Sequence, residues 1–137
     1  MSSRSVLVVV SLVLSVVTGI VLSRTGDGGS AQRAERSRPL IGLSMDTLKE
    51  ERWQVDRDLF TARAAELGAE VLVQSANSDD SVQLTQVQSL LTQGVDALVI
   101  IPHNGEAMAK AVELAHSAGV PVLSYDRLIT GCDLDLY

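Results

Sequence analysis

A chain of 137 residues has room for one domain at most. Its charge is split: residues 1–38 hold five Arg against Asp27 and Glu35, a balance of +3, which leaves −9 for residues 39–137. So acidic a globular part argues against nucleic acid or an anionic membrane as partner, and the single cysteine, Cys132, permits neither an internal disulfide nor a multi-cysteine metal site.

The chain opens with Arg4 and an apolar run of 17 residues, 6–22 (VLVVVSLVLSVVTGIVL), broken only by Ser, Thr and Gly. At about 1.5 Å per residue such a run is slightly short for a bilayer core of about 30 Å and slightly long for the core of a signal peptide. Residues 1–23 therefore read as a cleaved signal peptide, with Gly29 and Ala31 as small residues near a cleavage point, or as an uncleaved signal-anchor. Residues 24–39 form a polar tether without apolar period. No cysteine follows the run, which excludes a lipid anchor there. Either reading sends the remainder to the cell envelope.

From Leu40 the chain alternates short aliphatic runs with amphipathic stretches. The runs LIGLS (40–44), EVLVQ (70–74), ALVII (97–101) and PVLSY (121–125) are too short for helices and too uniformly apolar for one-sided strands. Each is expected to be a buried parallel strand. Helices are expected over about 50–67, 81–93 and 106–118. The second places Leu84, Val87, Leu90 and Leu91 on one face, the third Met108, Ala111, Val112 and Ala115. Gly68, Gly94 and Gly119 stand where each helix must stop, as a left-handed C′ residue does. The fold class this predicts is α/β, a doubly wound parallel sheet.

In such a sheet ligands bind beyond the carboxyl ends of the strands. That rule selects residues 45–53 (MDTLKEERW), 75–80 (SANSDD), 102–105 (PHNG) and 126–130 (DRLIT). None carries a phosphate-binding glycine loop or a nucleophile elbow. His103 and His116 are not spaced as metal ligands, so no catalytic residue, metal site or cofactor is expected. His116, late in a helix, reads as a solvated residue; His103 sits in a ligand-facing loop.

What remains in these loops is an aromatic ring with paired polar groups. Carbohydrates are bound by that combination: a ring stacks on the apolar C–H face, while Asp, Asn and Arg make multidentate hydrogen bonds to hydroxyls. Asp126 and Arg127, adjacent at a strand end, can accept and donate in this way, or can form a structural salt link. Trp53 lies in the first turn of its helix at the ligand edge. It also stands seven residues before Phe60 and fourteen before Leu67, so a place in the core serves the periodicity equally well. Arg52 beside it can reach the same cleft.

Together LKEERWQVDRDLFTARAAELGAEVLVQSAN, QGVDALVIIPHNGEAM and GVPVLSYDRLI resemble the D-xylose-binding receptors of ABC-type pentose transporters, over residues 40–137. The resemblance implies a type I sugar-binding lobe that catalyses nothing and whose ligand is D-xylose or a similar monosaccharide. It implies that Trp53 stacks on the pentose ring and that Arg52, Asp126 and Arg127 hydrogen-bond its hydroxyls. Asp46, Asn77 and Asn104 stand at matching strand ends as weaker sugar-binding candidates. In that family two lobes close on the sugar. Residues 40–137 correspond to the first lobe, truncated before the second, so weak binding and an unprotected sheet edge are expected. The partner implied is an ABC permease, with no nucleic acid. The alternative is a membrane-tethered sugar sensor that presents the lobe to a histidine-kinase partner.

Overall fold

The computed structural model describes residues 36–137. The expected signal or anchor of residues 1–23, and the tether up to residue 35, lie outside the described residues. Four strands and three helices alternate: β1 (Leu40–Met45), α1 (Glu51–Glu66), β2 (Glu70–Ser75), α2 (Asp80–Thr92), β3 (Ala97–Ile101), α3 (Ala109–Ser117) and β4 (Val122–Ser124). The sheet is parallel throughout in the order β2-β1-β3-β4.

Strand alternation explains the layers. Ile41, Leu43 and Met45 of β1, with Val99 and Ile101 of β3, pack with Trp53 and Phe60 of α1. Leu40, Leu98, Ile100 and Val122 project to the other face and join Val87, Leu90, Ala111, Val112 and Ala115 of α2 and α3. The chain steps one way from β1 to β2 across α1, then the other way through β3 and β4 across α2 and α3. Right-handed crossovers put helices on opposite faces when the direction reverses. The reversal opens a crevice between the carboxyl ends of β1 and β3, where ligands of open α/β sheets bind.

The three glycines expected to end the helices all adopt positive φ, 82° at Gly68, 74° at Gly94 and 65° at Gly119. Each is followed by the next strand, so the quasi-repeat is a repeated helix stop. Three expectations need correction. The helix expected from about residue 106 begins at Ala109, because residues 104–108 form a turn held by Asn104. β2 is only part-buried rather than buried, since it is the sheet's edge. Leu67, expected on the face of Trp53 and Phe60, is 70% exposed beyond the last turn of α1.

The edge at β4 is not open either. Val122 N–H donates to the Asp135 carboxylate at 2.7 Å, and Ser124 N–H to the Leu136 carbonyl at 3.0 Å. The segment after β4 thus turns back and occupies the donors that an edge strand would offer a neighbour.

Candidate functional site

Every strand delivers a polar group to the same edge. Asp46 follows the last residue of β1 directly and is 4% exposed. Arg127 Nη1 donates to Asp46 Oδ2 at 2.8 Å and to the Pro102 carbonyl, just after β3, at 3.0 Å. His103 Nδ1 lies 3.0 Å from Asp46 Oδ1. Burial alone would push the Asp46 carboxyl up. The hydrogen bonds from Arg127 and Ser78, with the charges of His103 and Arg127, outweigh that and hold it below the ordinary carboxylate range.

A second ion pair lies in the open. Arg52 Nη2 bonds Asp126 Oδ1, and its Nε lies 3.9 Å from Asp56 Oδ2, one turn on in α1. The Asp126 carboxylate raises the Arg52 guanidinium's affinity for its proton further. The two pairs meet at Trp53: the Arg52 guanidinium sits 4.5 Å from the ring centroid and that of Arg127 5.8 Å, both in cation–π range. Trp53 is itself 5% exposed and packs with Leu43, Met45, Val99 and Ile101. Of the two sequence readings of this residue, the structure shows the core tryptophan, with two guanidinium groups over its ring.

The weaker candidates part company. Asn77 is exposed at the end of β2, with φ of 53°. Asn104 Oδ1 accepts from the backbone N–H groups of Glu106 and Ala107 at 2.9 and 3.0 Å, so its oxygen shapes the turn before α3. Asn77, Ser78 and Asp126 are the non-glycine residues of positive φ among the described residues, and all three lie in these loops. Backbone in a sparsely populated region, gathered at one edge, points to a functional edge.

Two supports escaped the sequence reading. Gln83 of α2 is fully buried: its amide donates to the Ile101 carbonyl at 2.9 Å and Ser44 Oγ at 3.3 Å, and its oxygen accepts from His103 N–H at 3.0 Å. A lone glutamine within an apolar helical stripe, spaced four residues before Val87, was the available signal. Gly105 is the other. A Cβ there would lie 2.2 Å from the Leu128 carbonyl oxygen, so only glycine lets the loop after β3 touch the loop that carries Arg127. A mostly apolar groove of about 320 Å³ between α1 and the sheet is lined by Leu43, Met45, Leu59, Phe60, Ile101 and Tyr125, with the charged side chains Asp56, Arg57 and Arg63.

Residues 41–137 match the family described as periplasmic binding protein domain. The chain belongs to that family. Within this periplasmic binding protein family it is similar to the D-xylose-binding periplasmic protein of Haemophilus influenzae, 53% identical over 97 residues, covering 71% of this chain and 29% of that protein. It is also 39% identical over 127 residues to the D-xylose-binding periplasmic protein of Escherichia coli, covering 93% of this chain and 36% of that protein. Among solved structures, the carbohydrate transporter solute-binding protein from Chloroflexus aurantiacus in complex with D-glucose superposes with a TM-score of 0.66 at 34% identity, over 72% of this chain and 29% of that one. The chain thus spans about a third of the length of the curated relatives it matches.

Proposed function

We propose that residues 40–137 form the first sugar-binding lobe of a solute receptor for an ABC-type transporter, with D-xylose or a similar pentose as ligand and no turnover of it. The observation that carries the reading is the convergence of Arg52, Asp126, Arg127 and Trp53 at the switch-point crevice, where the family's ligands would be met by the strand ends. Arg127 presents a planar fork of donors, Asp126 supplies an acceptor, and Trp53 supplies an apolar face. These are the groups that multidentate recognition of a polyhydroxylated ring needs.

Arg52 has a second part in this reading. Its side chain is 60% exposed and lies over Trp53, so it must swing aside, or slide towards a hydroxyl, before a sugar C–H face can stack there. Asn77 and Asn104 are both exposed in the loops after β2 and β3, on the side a second lobe would occupy in this reading. The partner implied is an ABC permease. The relatives' names, binding and import proteins alike, favour a transport receptor over a membrane-tethered sensor.

The test is a graft. Residues 41–137 replace the matching segment of the Haemophilus influenzae relative, and D-xylose, D-ribose and D-glucose are titrated by calorimetry. Saturable binding of D-xylose, with the other two weaker, is the expected result. A folded graft that binds none of the three would overturn the reading.

A further inference from the structure

Asp46 is the sole buried acidic or basic side chain among the described residues. Both of its carboxylate oxygens are taken within the lobe, one by Arg127 at 2.8 Å and one by His103 at 3.0 Å. The partners are far more open than the anchor: the side chains of Arg127 and His103 are 42% and 38% exposed, against 5% for Asp46. At 4% exposure the residue has almost no surface to offer a ligand, yet it holds two side chains that stand open at the sheet edge.

We propose that Asp46 is a positioning residue for the sugar site, fixing the Arg127 fork and the His103 ring without touching the ligand itself. The inference rests on the reading of the crevice as a sugar site. Arg127 Nη1 is committed to Asp46 and Pro102, which leaves Nε and Nη2 to meet hydroxyls. A guanidinium pinned at one nitrogen and backed by Trp53 keeps its plane; without the pin it is a long side chain whose ordering would weaken binding. The same carboxylate sets the imidazole. With Nδ1 committed to Asp46, Nε2 is the ring nitrogen left to meet a hydroxyl.

The experiment is a double-mutant cycle on D-xylose affinity, read by ligand-observed NMR, which detects weak binding by the chain as it stands. Asp46→Asn is expected to weaken binding by about tenfold or more, because the amide cannot accept from both partners. In the background of Arg127→Lys, which has lost the fork, the same change is expected to cost about threefold or less. Equal losses in the two backgrounds, or an Asp46→Asn variant of full affinity, would overturn the proposal. Asp46→Glu, which keeps the charge and shifts it by one methylene, is the second variant should the amide not fold; full affinity there also counts against it.

A readout without sugar separates this proposal from the reading beneath it. The Arg127 Nε–H resonance should be sharp and slowly exchanging in the parent and averaged in Asp46→Asn. If the parent binds no pentose, the functional reading fails while this readout still decides the positioning role. A guanidinium equally ordered in both proteins would end it.

Discussion

Arg127 draws on three segments at once, the end of β1 through Asp46, the end of β3 through Pro102, and the first turn of α1 through Trp53. That makes Arg127→Lys a sharper probe of the site than removal of the ring. Lysine keeps the charge beside buried Asp46 but loses the planar fork, so D-xylose affinity should fall by about tenfold with the urea midpoint nearly unchanged. An unaltered affinity would assign Arg127 to structure alone. Trp53→Ala confounds the two, since it deletes a ring that is 95% covered and should cost about 3–5 kcal/mol of stability. The pH behaviour belongs to this scale as well. Asp46 titrates below its ordinary value of 3.8 in the folded chain. A depressed carboxylate contributes stability that is complete above that value and is lost as the pH falls through the folded one. Urea midpoints should therefore drop below about pH 4 in the parent, and less steeply in Asp46→Asn. Of the residues expected from sequence, Arg52, Trp53, Asp126, Arg127 and Asp46 are brought together. The sequence could not show that Trp53 lies under two guanidinium groups, because helical spacing gives a residue's direction and not what crosses over it.

At the level of elements, the loops are held in place from behind. Gln83 ties α2 to the ends of β1 and β3 and carries the backbone of His103. Gln83→Ala should destabilise the chain by about 2–4 kcal/mol, since it opens a cavity and strands buried backbone groups. Chemical denaturation would measure it, and a cost below about 1 kcal/mol would contradict the bracing role. Gly105→Ala would drive a Cβ into the Leu128 carbonyl. Backbone cannot yield there as a side-chain tip would, so the loops after β3 and β4 must separate and Arg127 must move with them. Loss of D-xylose affinity larger than that of an alanine elsewhere in the same loops is the expected outcome. The elements themselves were legible because the strands are aliphatic, the helices end on glycine and the period is near 26 residues. Their margins were less so: β2 reads as apolar as the others, yet its place at the sheet edge follows from crossover direction, which no local pattern records. The closing of the β4 edge by Asp135 and Leu136 was likewise hidden, since it depends on a side chain and a carbonyl reaching back across a turn. Asp135→Ala should expose those donors and raise self-association, which light scattering at rising concentration would follow.

For the whole molecule, the proposed site occupies one edge of one sheet. The helices and the two apolar layers serve to set four strand ends side by side, and the reversal of strand order opens the space between them. A single lobe covers one face of a sugar, so an affinity in the millimolar range is expected of this chain by itself, where a closed two-lobed clamp would bind more tightly. The most direct measurement is a D-xylose titration of the ¹⁵N-labelled chain, followed through its backbone amides. The account expects saturable shifts confined to the amides around Asp46, Trp53, Asn77, Asn104 and Arg127, with α2 and α3 unmoved beyond their first turns. Saturable shifts centred on the α2–α3 face, or none anywhere at high sugar concentration in a folded sample, would contradict it.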